Sequence, residues 1–484
     1  MKRVISLIIA LALVFLISSS AFAADNDYFP IINVTGFGRT NLVKDKGTPD
    51  EKVAFPPSGD AINAMVKELA LPAVGFLLGE NRYFAKSLVK SVNSLFEDIT
   101  FDDNGNPKYN NISLQKESGY SNGMYYFRYD WRFDVMDIAN NLNAYIEFVK
   151  AQTGAQKVAL LPESMGGAVV MAYIYLYGYD SISAVVMRSS ALYGLTMMGE
   201  AFTGNLRLNE RAVTGFVNGF IQGAEPRQIV LRDFIRVFGS LLLKPLVWRI
   251  NNFLEKESDY IYSESLSDTL GNIPGLWSFV PDEYYEQAKE TMLDENENKN
   301  LIEKIDVYHY NVRPQIDSTL TEMKADGVTV AFISNYGFWP FPATQAQGYM
   351  TDFLIDTRYT SAGATCSAVD SDLGAGYTQA VDDSHNHISC DNQIDASTCL
   401  FPENTWFVKG MVHTWYNTDY YLLVYWILEE GENADVFSNP NYPQFLCNNV
   451  YVGSLEPLTT DNMNPMNDKA DLPTVFAAIA ALIK

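Results

Sequence analysis

The residues most able to do covalent chemistry lie in the run Lys157–Tyr173, in which a short apolar segment ends at Ser164. Gly166 and Gly167 follow, and small and apolar residues then recur with helical spacing. A strand, a sharp turn and a helix are the setting in which a nucleophilic serine is held above the end of a parallel sheet. The N–H of Met165, at the helix start, would then face an oxyanion on an acyl group attached to Ser164. The run therefore predicts a nucleophile elbow.

This elbow departs from the usual Gly-x-Ser-x-Gly pattern, because Pro162 occupies the first glycine position. Proline fixes φ and has no N–H, so the turn has to accept a bulkier residue there. A Ser-x-Gly-Gly tetrapeptide by itself is also typical of ordinary loops. The flanking strand and helix patterns are what favour the elbow.

A nucleophilic serine needs a histidine to accept its proton and a carboxylate to hold that histidine in the correct tautomer. On this type of sheet the chain order is Ser, then Asp or Glu, then His. His413 comes directly after the strand predicted at Thr405–Gly410 and is the preferred base. Asp352 is the preferred acid, and Asp356 is the alternative, because both follow the strand predicted at Val328–Ser334.

The chain has three other histidines. His385 and His387 are the alternative candidates for the base. Their run, Asp382-Asp-Ser-His-Asn-His, predicts a solvated loop, with a metal-binding loop as the second interpretation. His309 precedes the region of the acid and is interpreted as a surface residue. No metal ligand is assigned.

Alternating strand and helix patterns surround the elbow and predict a mostly parallel sheet with helices on both faces, the α/β-hydrolase class. The predicted strands start at Phe29, Met124, Lys157, Ile182, Val328 and Thr405, and the predicted helices span Ile62–Leu77, Phe133–Thr153, Val312–Met323 and Asp419–Glu430. In such a sheet the first glycine turn, Gly36-Phe37-Gly38, lies beside the elbow. The N–H of Phe37 is therefore a predicted oxyanion donor, with a plain strand-end turn as the alternative.

The chain divides into five predicted regions. Residues 1–23 resemble a secretory signal, since two basic residues precede an apolar run that ends at a small-x-small cleavage pattern, Ala21-Phe22-Ala23. Core segments are predicted at 24–193 and 307–430, with an inserted helical cap at 194–306. The tail, 431–484, is predicted to be loop-like as far as Asp468 and to end in a short docked helix at Leu472–Ile483. The protein is expected to be exported.

Charge and cysteine content limit the classes of partner. The formal net charge of −24 argues against nucleic acid. Arg207–Arg249 is locally basic, with seven basic and three acidic residues; it is either a face for anionic or amphiphilic lipid or a helix pair with solvated arginines.

Outside the cell the four cysteines, all in the last third, could form two disulfides, and free thiols are the alternative. The four are Cys366, Cys390, Cys399 and Cys447.

With these residues placed, the chain resembles the lecithin:cholesterol acyltransferase-like family of α/β-hydrolases. The resemblance is carried by Gly36-Phe37-Gly38, Tyr129-Asp130-Trp131-Arg132, Ser164-Met-Gly-Gly, Gly275-Leu-Trp-Ser-Phe-Val-Pro281 and the late Asp and His. It spans roughly Pro30 to Glu430. Two departures are Pro162 in the elbow and Phe353 after the predicted acid, where a small residue is commoner.

The resemblance implies an acyltransferase or phospholipase that acts on lipid esters without a cofactor. It implies a triad of Ser164, Asp352 and His413, with Phe37 and Met165 as oxyanion donors and Asp130-Trp131-Arg132 as a structural brace. The expected protein is thus an exported serine hydrolase or acyltransferase whose partner is a lipid-like ester, at a membrane or micelle surface. The alternatives are a binding protein without catalysis on the same fold, and an esterase for small non-lipid esters.

Overall fold

The structure, a computed structural model, describes residues 29–463 apart from 222–227, 229–230, 233, 236–238, 344–347 and 450–452. The predicted signal, 1–23, and the predicted terminal helix, Leu472–Ile483, lie outside the described residues.

A nine-stranded sheet forms the centre of the molecule. The strands of the described residues are β1 (Ile31–Val34), β2 (Leu42–Lys44), β3 (Lys52–Phe55), β4 (Ile112–Leu114), β5 (Gly119–Ser121), β6 (Met124–Phe127), β7 (Val158–Ser164), β8 (Ile182–Ser190), β9 (Thr329–Tyr336), β10 (Thr365–Cys366), β11 (Ile394–Asp395), β12 (Thr405–Lys409), β13 (Phe445–Asn449) and β14 (Ser454–Pro457). The central order is β14-β13-β12-β9-β8-β7-β1-β6-β5. All its pairs are parallel except β5 with β6 and β13 with β14, at the two edges. Two small sheets, β3-β2-β4 and β10-β11, complete the set.

Helices cover both faces of this sheet. They are α1 (Gly59–Leu77), α2 (Asn81–Phe96), α3 (Val135–Thr153), α4 (Gly166–Tyr177), α5 (Thr196–Phe202), α6 (Glu210–Phe220), α7 (Ser240–Ile261), α8 (Pro274–Trp277), α9 (Asp282–Met292), α10 (Lys299–Asp306), α11 (Ile316–Ala325), α12 (Thr357–Thr360) and α13 (Thr418–Glu430), with π-helical turns at Tyr262–Gly271 and Val307–Val312. Strand residues alternate between two cores: Leu160 packs with α3 and α4, whereas Ala159 and Leu161 pack with α13. This period of two is the signature of a strand that is buried on both faces. The fold is that of an α/β-hydrolase.

The tail differs from its prediction. β13 and β14 lie within 431–468, which was predicted to be loop-like, and they complete one edge of the central sheet. β13 runs parallel to β12, with Phe445 opposite Phe407. Phe445–Asn449 has only three apolar residues followed by two asparagines, so its strand character comes from pairing with β12 rather than from its own pattern.

The segment predicted to be a helical cap, 194–306, is helical or irregular among its described residues, and its role as a cap stays a prediction. Helices α1 and α2 pack against α7 of this segment. Phe76 and Phe253 have ring centroids 5.5 Å apart, and the Arg249 guanidinium donates to the Phe76 carbonyl at 2.6 Å.

Two further features concern the chain as a whole. The four cysteines are free thiols in the structure, and Cys399 and Cys447 are buried. Among the described residues, no helix combines the length and the apolar character needed to cross a bilayer.

His309 is buried, with 3% of its surface exposed, so its prediction as a surface residue is wrong. It lies in the turn Val307–Val312. Its Nε2 faces the Trp277 carbonyl oxygen at 3.0 Å, and its Nδ1 lies 3.0 Å from Oδ1 of Asp282 and 3.3 Å from Nη1 of Arg313. Burial lowers the pKa of His309 to about 4, because burial and the Arg313 cation together outweigh the opposing effect of the Asp282 carboxylate. The imidazole is therefore neutral in the folded protein near neutral pH.

We expect the free energy of unfolding to decrease as the pH falls from 6.5 to 4, in part because of His309. The unfolded histidine takes up a proton near pH 6.5 and the folded one only near pH 4. The unfolded state therefore binds more protons throughout this window, which removes about 3 kcal/mol of stability. Denaturant unfolding of the wild type and of His309→Gln between pH 4 and 7 measures this contribution. The variant should show a shallower dependence; identical slopes would contradict the expectation.

Candidate active site

Ser164 is the last residue of β7 and is held in a left-handed backbone conformation, with φ at 54°. Its side chain is buried with 3% exposure, and its carbonyl oxygen accepts a hydrogen bond from Ala191 N at 2.8 Å. A positive φ is unfavourable for any residue with a side chain and persists only where the surroundings enforce it. The strand therefore ends in the sharp turn that the sequence predicts.

Glycine is required at positions 166 and 167 because a side chain would collide with the neighbouring strands. A Cβ on Gly166 would lie 2.3 Å from the Val34 carbonyl oxygen, and one on Gly167 would lie 2.6 Å from Cβ of Ser190. The start of α4 can thus approach β1 and β8 only without side chains at these positions. Pro162, the departure from the usual pattern, sits within β7 opposite Val34, and its carbonyl oxygen accepts from the Ser190 hydroxyl at 3.1 Å.

Asp352 and His413 lie together. The Asp352 Oδ2 is 2.7 Å from His413 Nδ1, and the backbone N–H of His413 donates to the Asp352 carbonyl at 2.9 Å. The other carboxylate oxygen accepts from the N–H of Ile355 at 2.8 Å and of Leu354 at 3.1 Å. Asp352 is fully buried. This carboxylate is therefore held from three sides and fixes the tautomer with hydrogen on Nδ1, which leaves Nε2 as the proton acceptor.

Asp356, the alternative acid, has a different partner. Its carboxylate accepts from the Thr196 hydroxyl at 2.5 Å and from the Thr196 N–H at 3.0 Å, at the start of α5. Burial raises the pKa of Asp356. The structure thus places Asp356 against the start of α5, and it places Asp352 against His413.

Three residues with a positive φ are Ser164 and the direct neighbours of Asp352 and His413. Besides Ser164 itself, Phe353 directly after Asp352 has φ at 91°, and Thr414 directly after His413 has φ at 57°. Such strain accumulates where function requires a side chain to be aimed accurately. Phe353 is also packed tightly, because a Cβ on Gly219 of α6 would lie 2.0 Å from its ring. Helix α6 thus lies directly on the loop that carries Asp352.

The sheet topology places the three groups on the side of the sheet where its parallel strands have their carboxyl ends. Ser164 ends β7, Asp352 follows β9 and His413 follows β12, and these three strands are parallel within one sheet. Their carboxyl ends therefore point the same way, which is where ligands bind in open α/β sheets. The loop of His413 reaches toward the elbow, since the Tyr416 hydroxyl approaches the Arg188 carbonyl oxygen at 3.4 Å. Arg188 is the register partner of Glu163, the residue before Ser164.

The predicted oxyanion donors lie beside the serine. Gly36 is in close contact with Ser164, because a Cβ on Gly36 would lie 2.7 Å from Cβ and 3.3 Å from Oγ of Ser164. Phe37 follows, and its ring packs on Trp131 at 4.2 Å. Within the part of the chain that the structure describes, neither the N–H of Phe37 nor that of Met165 has a hydrogen-bond acceptor. Two unpaired N–H groups next to a strained serine are what an oxyanion hole requires.

Glu163 and Arg188 are buried charged residues that the sequence interpretation missed. Glu163 is 1% exposed and Arg188 is fully buried, with 3.7 Å between Oε2 and Nη2. The other Glu163 oxygen accepts from Arg39 Nε at 2.8 Å and lies 3.4 Å from Gly36 N. Glu163 thereby holds the loop that carries Phe37 in place and acts as a positioning residue. A lone Glu and a lone Arg within two apolar strands are the signal that could have revealed the pair.

We expect Glu163→Gln to lower the free energy of unfolding by about 3–5 kcal/mol, because it leaves the Arg188 charge buried without its counter-charge. Denaturant titration of the variant measures the loss. In the double variant Glu163→Gln/Arg188→Met no charge remains buried, so most of the stability should return. A single variant as stable as the wild type would mean that the pair does not act as an ion pair.

His385 and His387 lie apart from the catalytic candidates, in the segment between β10 and β11. His387 is fully buried, so the prediction of a solvated loop is wrong for this residue. Among the described residues, neither histidine contacts Ser164 or Asp352; their partners are Asp383, Glu403, Phe437 and Gln444. The structure instead groups them with Asp383.

No protein-family model and no curated protein sequence matches the chain. Among the solved structures that are similar to it, the crystal structure of the Tle4–Tli4 complex gives a TM-score of 0.26 and 15% identity, over 63% of this chain and 75% of that one. A carboxylesterase structure from the ammonia-oxidizing thaumarchaeon Nitrososphaera gargenis gives a TM-score of 0.16 and 12% identity, over 62% of this chain and 93% of that one. The α/β-hydrolase fold of this protein is therefore defined by its own sheet order and elbow.

Proposed function

We propose that the protein is a serine ester hydrolase that acts through Ser164, His413 and Asp352. The observation that carries this proposal is the pairing of a buried Asp352 with His413 at the sheet edge where Ser164 is held with a positive φ. Ser164 ends β7, whereas Asp352 and His413 lie in the loops that follow β9 and β12. A sheet that serves only as a scaffold does not require three residues with a strained, positive φ at the carboxyl ends of its strands.

The proposed reaction has two steps. The Ser164 oxygen attacks the acyl carbon while Nε2 of His413 takes its proton, and the same proton then leaves with the departing alcohol. An acyl-enzyme remains. In the second step His413 removes a proton from water, the hydroxide attacks the acyl carbon, and the returned proton releases Ser164 and the free acid. Asp352 stabilises the imidazolium in both steps.

The N–H groups of Phe37 and Met165 are proposed to bind the oxyanion of both tetrahedral intermediates. Loss of one such donor typically lowers kcat by about 100- to 1000-fold. Glu163 supports this role indirectly, since it ties the loop of Phe37 to the strand of Ser164. The resemblance to the lecithin:cholesterol acyltransferase-like family supports the same assignment.

Lipid-like esters are the proposed substrate class, and the export suggested by residues 1–23 is proposed with them. Support comes from exposed apolar side chains on α1 and α7, two helices that pack on the same neighbour, α2. These are Ile62, Val66, Leu71, Val74, Leu77, Leu241, Leu242, Leu246 and Trp248, with exposures from 43% to 71%. Apolar surface of this extent on a soluble chain marks an interaction site. Lys244 and Pro245 lie among the exposed residues of α7, and a basic residue beside apolar ones suits an anionic lipid surface.

We expect the rate of ester hydrolysis to rise with acyl chain length and with presentation of the ester in vesicles. Leu241→Ser/Leu242→Ser/Trp248→Ser should weaken vesicle binding by roughly 100-fold, because three apolar side chains no longer enter the lipid. Hydrolysis of a soluble short-chain ester should stay unchanged in this variant. Co-sedimentation with anionic vesicles and initial rates on both substrates measure the two effects.

A matched control is Phe148→Ser, which removes an exposed apolar side chain from α3, outside the α1 and α7 surface. It should bind vesicles like the wild type. Preference for the shortest acyl chains, together with vesicle binding that the triple variant leaves intact, would overturn the lipid substrate class. It would leave the serine mechanism in place.

A further inference from the structure

Asp383, His385 and His387 form a cluster of potential metal ligands outside the catalytic candidates. They alternate along the segment between β10 and β11, and one ligand atom from each lies within 4.8 Å of the others. Two ligands of a zinc ion, each about 2.0–2.2 Å from it, can be at most about 4.4 Å apart. The three side chains therefore need only a small adjustment to share one ion.

The contacts of His387 direct its Nε2 toward the Asp383 carboxylate. Its Nδ1 lies 2.8 Å from Oε1 of Gln444, and its Nε2 lies 2.8 Å from Oδ2 of Asp383. The Gln444 amide is oriented by its NH₂ group, which donates to the Pro402 carbonyl at 2.6 Å. Its oxygen therefore accepts from Nδ1–H, which leaves the lone pair on Nε2. The lone pair of Nε2 and the carboxylate oxygen are thus side by side, where both could bind one metal ion.

The surroundings of His387 match those of a metal ligand. Ligating histidines almost always donate the other ring N–H to a carbonyl or carboxylate, as His387 does to Gln444. The backbone is also held, because His387 N donates to Gln379 Oε1 at 2.7 Å and its carbonyl accepts from Ala396 N at 2.9 Å. The ring is fully buried. Its orientation is thus fixed before any ligand arrives.

The exposed side of the cluster offers further potential metal ligands. Oδ1 of Asp383 accepts from His385 N at 3.0 Å, and the His385 ring packs on Phe437 at 4.3 Å. Oε1 of Glu403 lies 3.9 Å from Nδ1 of His385. No lysine or arginine pairs with Asp383 among the described residues. Two imidazoles and one or two carboxylates suit a divalent ion of the zinc class rather than Mg²⁺ or Ca²⁺, which prefer oxygen ligands.

The cluster lies at the other end of the sheet from the catalytic candidates. Gln444 directly precedes β13, and Glu403 lies two residues before β12, so both mark the amino ends of parallel strands. Ser164, Asp352 and His413 lie at carboxyl ends. We propose that Asp383, His385 and His387 bind one divalent ion of the zinc class that fastens the segment between β10 and β11 to the start of β12 and β13. The role is structural, and it does not depend on the proposed hydrolase function.

The test is equilibrium dialysis of the chelator-treated full chain against Zn²⁺, with metal analysis by mass spectrometry and thermal unfolding. One equivalent of Zn²⁺ should bind and raise Tm, and Mg²⁺ should not raise it. His385→Ala removes a half-exposed ligand, and Asp383→Asn removes the carboxylate charge. Each should weaken Zn²⁺ binding by more than about 100-fold. Loss of a residue that only supports the metal ligands typically weakens binding by roughly 10- to 100-fold.

The control is His413→Ala, which removes a histidine at the opposite end of the sheet and should leave binding of one Zn²⁺ unchanged. Absence of Zn²⁺ binding by the folded wild type would overturn the proposal. Binding that survives both His385→Ala and Asp383→Asn, or that is lost only in His413→Ala, would overturn it as well.

Discussion

Replacement of Ser164 by alanine is expected to lower kcat for hydrolysis of a soluble p-nitrophenyl ester by about 10⁶-fold, the size of effect seen when a serine hydrolase loses its nucleophile. The physical reason is that no acyl-enzyme can form without the Ser164 oxygen. Far-ultraviolet circular dichroism and Tm should stay close to those of the wild type, because the change removes one oxygen atom. Steady-state rates with burst analysis measure the effect.

Ser189 offers a matched control for this substitution. It lies near the end of the neighbouring strand β8, is fully buried and also has a positive φ, at 43°. Ser189→Ala should retain most of the activity, because the structure gives Ser189 no contact with Asp352 or His413 among the described residues. If Ser189→Ala is inactive and Ser164→Ala is active, the nucleophile has been assigned to the wrong serine.

Replacement of Asp352 by asparagine is expected to lower kcat by about 10⁴-fold, with little change in KM. The amide would face Nδ1 of His413 across a distance of 2.7 Å and would favour the wrong tautomer. It would also remove the charge that stabilises the imidazolium. Pre-steady-state rates of acylation at several pH values measure the loss, and they separate it from a change in substrate binding.

Asp356→Asn is the companion variant, and its effect should be of another kind. Asp356 accepts two hydrogen bonds from Thr196 at the start of α5, and no contact between Asp356 and His413 is present in the described part of the chain. The variant should therefore lower Tm and leave kcat within a small factor of the wild type. Loss of activity in Asp356→Asn combined with an active Asp352→Asn would exchange the two assignments.

The elbow and the strands beside it could be predicted because local pattern and final structure agree there. The run before Ser164 is apolar on both faces, and the two glycines are demanded by contacts of 2.3 Å and 2.6 Å that any side chain would make. Local pattern and tertiary contacts therefore favour the same conformation of this turn. His413 could be placed because it follows a strand directly, so that the position of the strand fixes the position of the residue.

The sequence interpretation preferred Asp352 and kept Asp356 as the alternative, because local pattern alone does not separate the two. The two lie in one short loop, four residues apart, and both are buried. Only the tertiary structure decides that one carboxylate meets His413 and the other meets Thr196. The burial of His309 and His387 has the same origin, because each is covered by residues distant in the chain, such as Trp277 and Gln444.

The edge of the sheet shows another limit of local patterns. β13 and β14 were missed because short strands at an edge depend on a partner strand for their hydrogen bonds and carry a weak alternation of their own. Likewise the pattern of α1 predicts a helix, and it does not reveal that this helix packs with α2 against α7. Contacts between elements far apart in sequence decide both cases.

The most direct test of the proposed mechanism is covalent labelling of the protein with a fluorophosphonate probe, in the wild type, Ser164→Ala and His413→Ala. Intact mass and peptide mapping identify the labelled residue. The mechanism predicts one label on Ser164 of the wild type and none in either variant, because phosphonylation needs both the nucleophile and its base. A folded wild type that takes no label, or a label that persists in Ser164→Ala, would contradict it.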